Sequence, residues 1–141
     1  MKILMLNYEF PPLGGGAATA CFNLLKEFSQ IKNLKIDLVT SSAGDFQQEK
    51  FAENINIYFL DIGKKNKNGH YQKKRDLIRY TFKSYFFSRK LIKSKDYDLI
   101  HAWFGLPAGA VGRFLGKPCL IALRGTDVPF FSPRFRLLDE L

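Results

Sequence analysis

Three short clusters hold the residue types that chemistry needs. Gly14, Gly15 and Gly16 close the segment Tyr8-Glu9-Phe10-Pro11-Pro12-Leu13, which follows the apolar run Ile3-Leu4-Met5-Leu6. Glycines strip side chains from the place where a helix begins, and bare amides at a helix N-terminus attract anions such as phosphate. His101, Trp103 and Phe104 end a second apolar run, and Arg124-Gly125-Thr126-Asp127 follows a third. Near neutral pH an arginine cannot act as a base; it donates hydrogen bonds and stabilises negative charge. Each cluster also has a structural alternative. The glycines would serve a close helix-to-strand contact, His101 would be a satisfied core histidine, Trp103 and Phe104 would pack, and Arg124 with Asp127 would form an ion pair that pins a loop.

Positioning these clusters requires alternating strands and helices. Apolar runs at Lys2–Asn7, Ile36–Thr40, Ile55–Ile62, Leu99–Trp103 and Cys119–Leu123 read as strands. Ala17–Gln30, with Cys21, Phe22, Leu24, Leu25 and Phe28 at helical spacing, Asp76–Lys95 and Leu106–Leu115 read as helices. Ser41–Asn54 reads as a polar connection with room for one helical turn, and the two prolines should hold the first part of the glycine loop extended. That loop is longer than the usual 2–6 or so residues between a strand and a helix, so it is expected to do more than connect. Strands apolar on both faces imply a parallel sheet with right-handed crossovers, the five runs lying in the order third, second, first, fourth, fifth. The ends of the first and fourth strands then flank the point where ligands bind in such sheets.

The 141 residues fit one domain, and 46% hydrophobic content implies an ordered core. Cys21 and Cys119 have no metal or redox spacing and read as free thiols. The N-terminal apolar run is too short for a signal peptide and no stretch approaches membrane-spanning length, so a cytoplasmic protein is expected. The net charge of +9 is uneven: Lys64–Lys95 holds 12 Lys or Arg against the single acid Asp76. One reading is an ordinary helix whose apolar side, Ile78, Phe82, Tyr85, Phe86 and Ile92, lies on the sheet while its positive side is solvated. A sharper reading is a surface for anionic lipid headgroups, with Lys64–Arg75 as a polybasic arm, placing the protein at the inner face of the membrane. Nucleic acid is disfavoured, because no binding motif accompanies the charge.

The Pro-Pro-x-Gly-Gly-Gly loop, Asp98-Leu99-Ile100-His101-Ala102-Trp103-Phe104-Gly105-Leu106-Pro107 and Leu123-Arg124-Gly125-Thr126-Asp127-Val128, in this order, resemble the N-terminal domain of a family 4 glycosyltransferase. The resemblance implies an α/β fold, a Rossmann-like parallel sheet flanked by helices that forms the N-terminal half of a GT-B architecture. It implies transfer of a sugar, with retention of configuration, from a nucleotide-sugar donor to a glycan or lipid-linked acceptor, with no metal and no cofactor beyond the donor itself. Gly14, Gly15 and Gly16 would then meet the donor diphosphate. Arg124 stands where many relatives carry a histidine that touches the transferred sugar, and Asp127 would support it as the second catalytic residue. His101, Trp103, Phe104 and Thr126 would line the acceptor side. Residues 1–141 would be a truncated acceptor-side domain, inactive without a second Rossmann-like domain to hold the nucleotide. The alternative is a non-catalytic Rossmann-like binding or membrane-recruitment module. A nicotinamide-dependent dehydrogenase fits poorly: its first glycine follows strand one directly and an acid ends strand two, where this chain has Thr40-Ser41-Ser42.

Overall fold

A computed structural model describes residues 1–64 and 73–127. Its elements are β1 (Lys2–Leu6), α1 (Gly16–Ser29), β2 (Lys35–Ser42), β3 (Gln47–Ala52), β4 (Ile55–Asp61), α2 (Lys74–Ser94), β5 (Leu99–Trp103), a helical segment at Gly105–Gly109 that leads into α3 (Ala110–Arg113), and β6 (Cys119–Ala122), with a short turn at Gly125–Asp127. The strands form one sheet in the order β3-β4-β2-β1-β5-β6. All neighbours pair in parallel except β3 with β4. The five expected strands take the expected order, because their continuous apolar runs need cover on both faces and the crossover helices supply it.

Alternation along β1 shows how the two layers divide. Ile3 and Met5 join Cys21 and Leu25 of α1 in one core, while Leu4 and Leu6 join Leu91 of α2 and Val111 of α3 in the other. All of these side chains are buried. At the lower rim, where the parallel strands begin, Asp37 is 3% exposed and accepts hydrogen bonds from Lys95 Nζ (2.8 Å), Asn56 Nδ2 (2.8 Å) and the Tyr97 hydroxyl. Burial would raise its pKa, yet these donors hold its carboxyl below the usual carboxylate range. Asn54 Nδ2 beside it donates to the carbonyls of Phe28, Ile31 and Leu34, tying the end of α1 to the start of β2.

Three expectations are corrected. The polar stretch before Ile55 contains β3, an antiparallel edge strand in which Gln47, Gln48, Glu49 and Lys50 are exposed. An edge strand needs no apolar face, so hydrophobic patterning does not mark it. The prolines sit in a tight turn instead of an extended arm, with Leu13 N donating to Phe10 O at 2.8 Å; Phe10 and Leu13 are both buried, and the chain must turn back to bury them. The buried face of α2 consists of Asp76, Tyr80, Ser84, Ser88 and Leu91; of the five apolar residues expected on the sheet, Tyr85 and Ile92 are half-buried and pack against the core, whereas Ile78, Phe82 and Phe86 are 58%, 62% and 61% exposed. Ser84 and Ser88 let the middle of the helix lie close to the sheet, and the line Ile78, Phe82 and Phe86 points outward.

Candidate functional site

The upper rim, where the parallel strands end, gathers the predicted clusters. Among the glycines, Gly14 is fixed by the fold itself: its φ is +96°, and a Cβ there would meet Glu9 Cβ at 2.7 Å and Ala18 Cβ at 3.0 Å. Gly15 and Gly16 are different. A Cβ on either would meet no atom of the described residues within 4 Å, so sterics among those residues do not require glycine at these positions. Gly16 opens the 14-residue α1, with no side-chain cap and no acid in the first turn. The amides there form a bare, electropositive surface.

Glu9 and Tyr8, in the same loop, were not among the predicted site residues. Glu9 Oε2 accepts a long hydrogen bond from Gly15 N (3.5 Å), and Glu9 N donates to Asn7 Oδ1 (3.1 Å). Burial raises the pKa of its carboxyl above the usual range, against opposing effects of the Gly15 amide, Lys64 and the Tyr8 hydroxyl. Burial also raises the Tyr8 hydroxyl, followed by the charges of Glu9 and Asp127, so the phenol stays protonated. The Tyr8 ring packs on Phe104 (centroids 4.7 Å apart) and edge-on to Tyr80 of α2 (6.3 Å). The available signal was an acid six residues before the second glycine of a phosphate-type loop, where negative charge is out of place.

Asp127 and Arg124 do not form the ion pair that was the structural alternative. Asp127 Oδ2 accepts from Gly105 N at 2.9 Å and from Arg124 N at 3.4 Å, so the carboxylate ties the loop after β5 to the loop after β6 through backbone amides. It also steadies an unusual turn. Phe104 has φ 75°, a left-handed conformation that costs a non-glycine residue about 1–3 kcal/mol, and its N and O are held by Ala122 O (3.0 Å) and Gly109 N (3.0 Å). The Arg124 guanidinium instead lies over the Trp103 ring, 4.1 Å from its centroid, within cation–π range. Both line a groove of about 440 Å³ with Ala20, Asn23, Leu24, Lys26 and Glu27 along the flank of α1.

His101 stands two residues before Trp103 on β5, its ring centroid 5.9 Å from that of Trp103. Burial and then the Arg124 charge lower its pKa below the usual histidine range, which keeps the imidazole neutral near pH 7. Trp103 is fully buried and Phe104 is 6% exposed, so both pack in the core, and Trp103 offers only the ring face beneath Arg124. The Thr126 side chain lies outside the described residues. The rim thus holds two groups: Tyr8, Glu9, Asp127 and Gly105 around the glycine loop, and Arg124, Trp103 and His101 beside α1. Thr40 Oγ1, Ser41 Oγ and Trp103 Nε1, at the ends of β2 and β5, are buried without a protein hydrogen-bond partner. Among the described residues, no cluster of His, Cys, Asp or Glu could hold a metal ion.

An open strand-to-helix loop at the switch point of a parallel sheet is where α/β proteins of this class place their ligand sites. The family model for glycosyl transferase 4-like proteins matches residues 13–140, and the chain belongs to that family. It is 28% identical over 131 residues to an uncharacterized glycosyltransferase of Methanocaldococcus jannaschii, a match that spans 90% of this chain and 33% of that protein. This chain therefore spans about a third of the length of its curated relative. Among solved structures, sucrose-phosphate synthase from Thermosynechococcus elongatus superposes with a TM-score of 0.70 at 18% identity, over 96% of this chain and 36% of the synthase. The C-terminal domain of a Pyrococcus furiosus hydrogenase, PF1911, superposes with a TM-score of 0.53 at 16% identity, over 86% of this chain and 90% of that domain. The fold is thus Rossmann-like and matches one half of the GT-B architecture, and the hydrogenase match shows that such a fold alone does not decide chemistry.

Proposed function

We propose that these residues form the acceptor-side wall of a cleft in which a sugar moves from a nucleotide-sugar donor to a glycan or lipid-linked acceptor, the other wall being a second domain that holds the nucleotide. The observation that carries this reading is Gly16. Gly16 opens α1, and nothing among the described residues occupies the space its Cβ would take, so packing there does not call for a glycine. That space is where the donor diphosphate would approach the amides of Gly15, Gly16 and Ala17. Gly14 supports the loop by making room for Glu9. Arg124 donates to the oxygens that gain charge as the sugar leaves, and Trp103 holds its guanidinium nearby. Asp127 acts by positioning, through the two amides it holds. His101 is neutral and offers a hydrogen bond to an acceptor hydroxyl, and Thr126 and the Phe104 turn border the same side.

The basic segment supports a location at the anionic inner face of a membrane, which suits a lipid-linked acceptor. No helix among the described residues is long and apolar enough to cross a membrane. In an active preparation, Gly16→Ala should keep or slightly raise the melting temperature while lowering kcat/KM by about tenfold or more. Full activity in Gly16→Ala would remove the donor from this loop.

A further inference from the structure

We infer that the outward face of α2 is an insertion surface for an anionic lipid bilayer, a step that rests on the membrane location above and names the side chains that enter the lipid. Ile78, Phe82 and Phe86 follow each other at one-turn spacing and are the exposed large apolar side chains of this helix. Arg75 lies on the same line before them, Arg89 and Lys93 after them, and Lys83 and Lys90 along one side. Every exposed ionisable side chain on α2 is a cation; its one acid, Asp76, is buried and accepts from Lys73 N at 3.1 Å. Beyond the helix, Asp61 faces the patch, and it is engaged with Lys83 (3.4 Å).

Phe82 also stands between two apolar grooves. One, of about 440 Å³, runs past Phe46, Phe86 and Phe87, and the other, of about 300 Å³, runs past Tyr85, Val111 and Phe114. Phe114 and Phe46 are themselves 74% and 50% exposed, so the ridge broadens into an apolar surface. A protein partner would match such a ridge with apolar side chains and would need acids all round it. A bilayer surface supplies both at once, phosphates for the surrounding cations and acyl chains for the phenylalanines. The placement suits the site as well. Tyr80, on the inner face of the same turns, donates to Val39 O (3.0 Å) and meets Tyr8, so a bilayer seated on Phe82 lies one helix diameter from the glycine loop.

The test is sedimentation of the full chain with vesicles containing phosphatidylglycerol or phosphatidylcholine alone. Wild type should bind the anionic vesicles, and Phe82→Ser/Phe86→Ser should lower the partition coefficient by about tenfold or more while leaving circular dichroism and melting unchanged. Lys83→Gln/Lys90→Gln/Lys93→Gln should also weaken binding and remove most of its salt dependence. In Phe82→Trp, brominated acyl chains should quench the new fluorescence, which is separable from the fully buried Trp103. Anionic binding that survives the double serine change, with no quenching, would overturn insertion and leave the membrane location standing on charge alone. No binding of wild type to either vesicle would overturn both. A dimer in the absence of lipid that the serine changes dissolve, with no vesicle binding, would assign the ridge to a second copy of the chain.

Discussion

The two rims of the sheet are built from the same strands and treat their polar groups in opposite ways. At the lower rim Asp37 takes three donors from β4, the end of α2 and the start of the β5 segment, and Asn54 donates to three carbonyls; among the described residues there, only Asn54 Oδ1 is buried without a partner. At the upper rim Thr40, Ser41 and Trp103 are left without protein partners, Glu9 holds its amide at 3.5 Å, and Phe104 keeps a left-handed backbone. A polar group that is satisfied within the chain contributes to stability, and one that is buried and unsatisfied costs free energy. The lower rim therefore fastens the fold, while the upper rim spends stability to keep groups available to a ligand.

The contrast breaks or sharpens under four substitutions. The largest effect is expected at the lower rim: Asp37→Ala should destabilise the fold by about 3 kcal/mol in denaturant titration, the low end for a broken buried pair because Lys95 is 30% exposed. Activity per folded molecule should not change. The carboxyl of Asp37 is depressed, so its contribution is complete above the unfolded carboxylate pKa of about 4 and fades as pH falls through the lower folded value. The stability gap between wild type and Asp37→Asn should close over that acid range; a gap that widens there would put the wrong group at the centre of the cluster.

Arg124→Ala tests the opposite rim. It should lower kcat/KM on the order of 10²-fold with a stability loss below about 1 kcal/mol, the worth of its stacking on Trp103. A loss of stability with activity retained would make Arg124 part of the scaffold. A smaller effect is expected at Glu9, whose negative charge borders amides proposed to receive an anion. Glu9→Gln should lower the donor KM by about threefold, since a unit charge several ångströms away is worth about 0.7 kcal/mol in a high dielectric. A fall in kcat instead would place Glu9 in the chemistry. The smallest effect is spectroscopic. The His101 ring protons should titrate below the ordinary value of about 6.5, and Arg124→Ala should move that midpoint upward, because the guanidinium disfavours the imidazolium. An unmoved midpoint would separate His101 from the Arg124 group.

Much of this architecture was legible in the sequence for physical reasons, and the failures have physical reasons too. Ile3-Leu4-Met5-Leu6 is apolar at every position because β1 is covered on both faces, and that single fact implies parallel neighbours and crossover helices. β3 was missed because pairing on one edge leaves Gln47, Gln48, Glu49 and Lys50 in water, where alternation carries no free energy. For α2, periodicity located an apolar stripe correctly, but a stripe does not say what it faces. Ser84 and Ser88 give no hydrophobic signal, yet they are buried alongside Tyr80 and Leu91, since close approach to the sheet favours small side chains at the middle of the inner face. At the site, the residue types Gly14, Gly15, Gly16, Arg124 and Asp127 could be picked out, but not that Asp127 serves backbone amides while Arg124 turns to Trp103. Side-chain direction at a loop depends on contacts far apart in the chain.

The two borders of the sheet differ as much as its rims. β3 closes one side with glutamine, glutamate and lysine side chains and runs against its neighbour, which blunts further pairing. On the other side, β6 is the border among the described residues and shows Leu120 and Ile121 at 54% and 41% exposure, with Leu123 just beyond at 55%. Among the described residues, a strand grafted beside β3 would find a charged edge, whereas one offered to β6 would meet an apolar one, the edge to guard with a lysine or proline when the chain is handled at high concentration.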